Sequence, residues 1–283
     1  MKSLSILFVG DVVGAAGRAT FDAAIPALRR ELGFDLAIVN CENSADSGQG
    51  ISRAGAAQLL AAGADALTTG NHAFDGPESV DVLESDAPVV RPLNFRSHLP
   101  GRGQLVVERS GVRVGILNLA SAELARVESS PLLAVERALA ALERRGATTT
   151  LIDVHGAWPA EKRALAHRVD GRACAVVGTH THVPTADAQV LPGATAFIAD
   201  VGMTGAADSL IGFDHGPFVD NLLHGGPEPS AATGPTGVLM GVLIRAEGQT
   251  AHSIERIERP VSLAADAPPT GGRKRTAGHL SLP

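Results

Sequence analysis

Short apolar runs that break at glycine or at a polar residue recur along the first third of the chain. Leu4-Ser5-Ile6-Leu7-Phe8-Val9 stops at Gly10-Asp11, and Leu36-Ala37-Ile38-Val39-Asn40 runs into Cys41-Glu42-Asn43. Ala64-Asp65-Ala66-Leu67-Thr68-Thr69 runs into Gly70-Asn71-His72-Ala73-Phe74-Asp75. Their length and flanks predict buried parallel strands rather than helices. Between them Phe21, Ala24, Leu28 and Leu32 mark one helical face stopped by Gly33, with Pro26 expected to kink or restart the helix. Further helices are predicted over about 52–62 and 77–84, and a short strand over 87–91. Repeated strand, loop and helix implies a mainly parallel sheet with right-handed crossovers, whose ligands gather at the carboxyl ends of the strands.

Beyond residue 100 the pattern changes. Three hairpin signals bring in antiparallel pairing: 104–108 with 112–118 around Ser110-Gly111, 188–191 with 194–199 around Pro192-Gly193, and 238–245 with 250–258 around Glu247-Gly248. The sheet becomes mixed and the chain closes as a second sheet. Helices are predicted over 132–142 and 161–169, and strands over 148–154 and 173–177. Residues 202–235, rich in Gly, Pro, His and Asp, have little periodicity and are expected to form either a substrate-side loop or a subunit contact, the rim of an active site being preferred. From Val261 onward the Pro, Gly, Ala and Ser content, with Arg273-Lys274-Arg275, is that of a disordered tail. The expected organisation is therefore an α/β domain over 1–260 followed by a tail over 261–283.

With 283 residues and 45% hydrophobic content, the chain is long enough to bury a sizeable core. A formal charge of −6 argues against a nucleic-acid-binding surface, which needs clustered Lys and Arg. A small anionic substrate stays open, because a metal can supply the positive charge the chain lacks. Cys41 and Cys174 stand far apart, in neither a disulfide framework nor a thiolate metal spacing. The apolar run at Leu4–Val9 is too short for a signal segment, and no stretch approaches the ~20 apolar residues of a membrane span, so a cytoplasmic protein is expected.

The chemistry sits at the strand ends. Asp11, Glu42, Asn43, Asn71, His155, His180 and His182 all follow apolar runs and form an oxygen and nitrogen ligand set without sulfur. Singly, each is better explained as a helix cap, an Asx turn or a hydrogen-bonded loop; together, five strand ends delivering ligands to one rim are not. Seven ligands exceed one tetrahedral site and suit two ions sharing a carboxylate, Glu42 or Asp11, with a bridging hydroxide as nucleophile for in-line phosphoryl displacement. His180 and His182, two apart in extended chain, share a face and can reach adjacent metals. His98, His167, His224, His252 and His279 read as surface or loop histidines; His215 lies in the stretch expected to cover the site. Trp158, three residues after His155, is either packed or placed to stack on a base. The dinucleotide-binding reading fails, since Gly10-Asp11-Val12-Val13-Gly14 lacks the Gly-x-Gly-x-x-Gly spacing.

These stretches, with Asp153-Val154-His155, Gly178-Thr179-His180-Thr181-His182 and Asp200-Val201-Gly202-Met203-Thr204-Gly205, resemble the YmdB-type branch of the calcineurin-like metallophosphoesterases over roughly residues 3 to 260. The resemblance implies a four-layer α-β-β-α sandwich with two mixed sheets and a binuclear centre. It makes Glu42 the bridge, puts Asp11, Asn43 and His182 around one ion and Asn71, His155 and His180 around the other, and leaves His72 as general acid. It implies a phosphodiesterase with a small-molecule substrate, 2′,3′-cyclic nucleotides foremost. Iron or manganese fit the ligands best, with zinc or magnesium also admitted, and a homo-oligomer is compatible with it. Two departures stand out: Gly156-Ala157-Trp158-Pro159-Ala160 replaces an acidic, hydroxyl-rich stretch, and Phe95 stands where the branch tends to have Tyr. The competing readings are a phosphomonoesterase or nucleotidase on the same centre, and a regulatory protein whose metal site is structural or sensory.

Overall fold

The computed structural model describes residues 2–226 and 229–263. The chain runs β1 (Ser3–Val9), β2 (Asp11–Val12), α1 (Gly14–Leu32), β3 (Leu36–Asn40), α2 (Arg53–Ala62), β4 (Ala66–Thr68) and α3 (Ser79–Glu84). It continues through β5 (Gln104–Arg109), β6 (Val112–Ala120), α4 (Pro131–Arg144), β7 (Thr149–His155), α5 (Pro159–Arg168) and β8 (Ala175–Thr179). It ends with β9 (Gln189–Val190), β10 (Ala196–Ile198), β11 (Met203–Ala206), α6 (His215–His224), β12 (Thr236–Glu247) and β13 (Thr250–Ser262).

The alternation along β1 divides the molecule. Successive strand residues face opposite ways, so Leu4, Ile6 and Phe8 enter a core shared with Ile116, Leu151, Val177 and Ile198 of the other sheet, while Leu7 and Val9 enter a core built with α1, α2 and α3. A third core lies outside the second sheet, where Val135, Ala138 and Leu142 of α4 and Leu165 and Ala166 of α5 cover Leu117, Ile152, Val176 and Phe197. The layers are thus helices, sheet, sheet, helices: a four-layer α-β-β-α sandwich. Complete burial of a side chain such as Phe8 or Phe197 stabilises it by about 1.5–3 kcal/mol.

Both sheets are mixed. In the first, of seven strands, β1, β3 and β4 are parallel and β12 is antiparallel to β1, β11 and β13, with β2 parallel to β11. In the second, of six, β6, β7, β8 and β10 are parallel and β5 and β9 pair antiparallel at its edges. The three hairpins expected from the sequence all form. Among the described residues no helix is long and apolar enough to cross a membrane.

Four expectations are corrected. Pro26 does not restart α1, which runs unbroken from Gly14 to Leu32; Pro26 is exposed, so the carbonyl it leaves unbonded faces solvent. The strand expected over 87–91 is reduced to one isolated bridge, Leu67 with Val89. Residues 202–235 are not structureless, because β11 and α6 lie within them. Val261 and Ser262 belong to β13, and the rest of the proposed tail, 264–283, lies outside the described residues.

Candidate metal centre

Parallel strands deliver their carboxyl ends to one place. Glu42 and Asn43 follow β3, Asn71 and His72 follow β4, His155 closes β7, His180 and His182 follow β8, and Asp11 opens β2. Gly70 allows this closeness: a Cβ there would lie 2.2 Å from His155 Cδ2.

His155 Nε2 is the focus. Glu42 Oε1 lies 2.9 Å from it, Asn71 Oδ1 2.9 Å and His180 Nδ1 3.0 Å. That nitrogen carries at most one proton, too few to satisfy two oxygens and a second ring nitrogen. A cation among the four atoms would satisfy all of them, and Glu42, His155 and His180 are spaced to hold one. The other nitrogen of His155 is engaged from behind. Nδ1 lies 2.9 Å from Thr179 Oγ1, whose hydroxyl donates to Asp153 Oδ1 at 2.7 Å, and Asp153 Oδ2 accepts from Thr68 Oγ1 at 2.5 Å. This chain fixes the ring with Nε2 toward the site, as outer partners of metal-binding histidines do.

A second group of candidate ligands lies beside the first. Asp11 Oδ2 accepts the His180 backbone N–H at 3.2 Å, and Asp11 Oδ1 lies 4.0 Å from His182 Nε2. His182 Nδ1 is tied to Ile211 O at 2.6 Å, again leaving Nε2 for the site. Asn43 Nδ2 donates to Gly48 O at 2.7 Å, which orients the amide. Asp11 Oδ1 and Asn43 Oδ1 are both buried without a hydrogen-bond partner. Each such orphan costs about 1–3 kcal/mol, a cost that cation binding would remove. The donor set therefore fits hard or borderline divalent ions.

Electrostatics point the same way. Burial raises the Asp11 carboxyl. Burial would also raise Glu42, but His155 beside it prevails and holds it ionised, and Glu42 in turn outweighs the burial that would keep His155 neutral. His180 is pushed down to about 3 by burial and by the neighbouring His155. A neutral His180 and an ionised Glu42 are the forms that ligate, while His155 would release its proton as metal enters. His180 and His182 have φ of 107° and 64°, left-handed backbone that non-glycine residues rarely adopt.

His72 stands apart from this convergence. Its backbone N–H donates to Glu42 Oε2 at 3.0 Å, and its Nδ1 lies 2.7 Å from Asp75 Oδ2. Asp75 is braced by Arg126, whose Nη2 lies 3.2 Å from Oδ1 and whose Nη1 donates to Asn71 O at 3.0 Å. His72, Glu42, Asn43, His180 and His182 line a cleft of about 350 Å³.

All eight candidate site residues are thus brought together. Others are not. His215 opens α6 facing Asp208 at 3.7 Å and does not line the cleft. Trp158 is 52% exposed, neither packed nor part of the cleft wall, which its neighbour Ala157 joins. Phe95 is buried against Phe74, out of reach of a substrate. Sequence reasoning missed the groups behind and beside the ligands: Thr179 and Asp153, Arg126, and the buried Lys162, whose Nζ donates to Thr179 O at 2.8 Å and Ala199 O at 2.9 Å and lies 3.5 Å from Asp200 Oδ2. Of these only the Asp-x-His and Thr-His spacing around His155 and His180 was a signal.

Comparison with known proteins gives the family and the fold. The model of the YmdB-like protein family matches residues 7–257. A 2′,3′-cyclic-nucleotide 2′-phosphodiesterase of Bacillus subtilis is 37% identical over 256 residues, covering 90% of this chain and 96% of its own length. The crystal structure of a novel phosphatase of Mycoplasma pneumoniae superposes with a TM-score of 0.83 at 30% identity, covering 93% of this chain and 95% of that one. At 15% identity the calcineurin-like phosphoesterase YfkN of Bacillus subtilis shares the fold, with a TM-score of 0.54 over 92% of this chain and 91% of that one. A match along nearly the whole chain, with a relative 37% identical over 90% of it, places the protein in the YmdB-like family.

Proposed function

We propose that the protein is a metal-dependent phosphodiesterase that opens 2′,3′-cyclic nucleotides. The observation that carries this is the pairing of two abutting ligand groups with a separate imidazole, His72, held by Asp75 at the wall of the same cleft; the 37% identical phosphodiesterase supplies the substrate class. In this reading Glu42 would be shared between two ions, Asp11, Asn43 and His182 would hold one, and Asn71, His155 and His180 would hold the other, with iron or manganese the metals of choice. Two such ions supply positive charge against the phosphoryl oxygens and acidify water.

The chain's own groups do the rest. His72 donates a proton from Nε2 to the departing ribose oxygen, while Asp75 on Nδ1 fixes the orientation of the ring. Arg126 holds Asp75 and the Asn71 carbonyl together, so the proton donor and one ligand keep a set spacing. Thr179 and Asp153 hold His155 in its ligating orientation.

The test is hydrolysis of 2′,3′-cyclic AMP, bis-p-nitrophenyl phosphate and p-nitrophenyl phosphate by manganese- or iron-reconstituted protein, with metal content measured on every sample. Diester cleavage is expected to exceed monoester cleavage. His72→Ala should lose about 10²–10⁴-fold in kcat with metal retained, and Glu42→Gln should lose metal. Metal-replete protein that cleaves no diester, or a His72→Ala variant as fast as wild type, refutes the mechanism.

A further inference from the structure

The cleft has two unlike sides. One carries the metal-site residues; the other is apolar, made by Ile211, Phe213 and Phe218. Phe213 lies nearly parallel to the His182 ring, with centroids 6.3 Å apart and an interplanar angle of 11°, and Phe218 leans on Phe213 at 6.2 Å. The aromatic surface therefore begins at a metal-site histidine and continues outward from it. Phe218 is half-buried although α6, which carries it, has no buried residue, so its partial cover comes from Phe213 and its free side belongs to the cleft.

Among the described residues the cleft wall offers a substrate no Lys or Arg, and the parts beyond its phosphodiester meet an apolar wall. The rest of the chain offers no rival platform. It has no Tyr and eight Phe. Phe8, Phe21, Phe34, Phe95 and Phe197 are buried in the cores, and Phe74 lies beneath Arg126 at 5.8 Å. Trp158 is on the surface outside the cleft.

Resting on the phosphodiesterase reading above, we infer that the wall of Ile211, Phe213 and Phe218 is a nucleobase subsite, with Phe218 the face on which the base stacks. The site takes a nucleotide with a single phosphodiester and disfavours one with further phosphates. Stacking of this kind is tolerant of base identity, because every base has a π-face, so purine and pyrimidine cyclic nucleotides should both be used.

The experiment compares kcat/KM for 2′,3′-cyclic AMP, for the same compound bearing a 5′-phosphate, and for glycerol 1,2-cyclic phosphate, a cyclic diester without a base. Wild type should prefer the first to both others. Phe218→Ala should reduce the preference for cyclic AMP over the glycerol compound by roughly 10-fold, chiefly through KM, with Phe218→Leu intermediate and Phe218→Trp retaining it. Equilibrium dialysis of adenosine 3′-monophosphate against metal-loaded protein should weaken in the same order, and thermal unfolding and metal content establish that each variant is folded and loaded. If wild type cleaves cyclic diesters without preferring the base-bearing one, or Phe218→Ala keeps the preference, the subsite is wrong and the phosphodiesterase reading stands. If wild type cleaves no cyclic diester, both fall.

Discussion

Lys162 is the sharpest point at which to perturb the fold behind the site. Its side chain is 1% exposed, as is that of Asp200 beside it. Replacing it by Met keeps the packing and removes the charge, which leaves Asp200 without its buried cation and Ala199 O and Thr179 O without the ammonium. Breaking a buried ion pair by deleting one partner costs about 3–5 kcal/mol. The lower end applies here, because Thr179 O keeps a bond from the Gly156 N–H at 3.3 Å, and Asp200 keeps the N–H groups of Thr181 and Gly202. The expected loss is about 3 kcal/mol, or a fall of ~6–12 °C in Tm for a domain of this size, read by urea and thermal unfolding of metal-free protein. The pH dependence adds a signed check. Burial lowers the Lys162 pKa below its ordinary value, so above the folded-state pKa the unfolded chain binds more protons and wild-type stability rises with pH toward ~10.5. Lys162→Met lacks that gain, and its deficit against wild type should widen from neutral to alkaline pH. A deficit below ~1 kcal/mol would mean that desolvation of Lys162 offsets its bonds and that the residue does not hold this region, and a deficit that narrows with pH would mean that its bonds outweigh burial and raise its pKa instead.

Three further outcomes test the centre itself. Thr179→Val, nearly isosteric, leaves His155 Nδ1 and Asp153 without the hydroxyl between them; metal affinity by calorimetric titration should fall about 10–100-fold, and unchanged affinity would dismiss the orienting role. Gly70→Ala would put a methyl 2.2 Å from a His155 ring atom, so purified protein should carry less metal, while metal content equal to wild type would show that the strand end can shift. Asp75→Asn should slow kcat by roughly 10–100-fold at full metal content, because the carboxylate that orients the His72 ring through Nδ1 is gone; a rate equal to wild type would leave Asp75 without a part in proton transfer.

Much of this was legible because strand ends are legible. An apolar run that stops at Asp, Glu-Asn, Asn-His or His marks both an element and what it delivers, and Glu42, Asn71, His155 and His180 all came from that pattern. Hairpins were read from their turns, and the two mixed sheets followed. What stayed hidden had no periodic signal. The first turns of α1, Gly14-Ala15-Ala16-Gly17, look like a loop, yet Gly17 is small because a Cβ there would lie 2.4 Å from Thr204 O on β11. Helix α6 buries no residue and so shows no apolar stripe facing a core. Lys162, Thr179, Asp153 and Arg126 act across sheets and loops, through contacts between residues 17 to 85 apart in the chain, which no local pattern encodes.

The left-handed backbone at His180 and His182 has a practical consequence for engineering. Each such residue holds about 1–3 kcal/mol of strain, released most simply by glycine. A library selected only for heat resistance of the metal-free protein should therefore enrich His180→Gly and His182→Gly among its winners. Sequence optimisation that rewards backbone ease would remove these imidazoles early and return a sturdier, silent protein, so selection on this scaffold has to be run with metal present and turnover as the criterion.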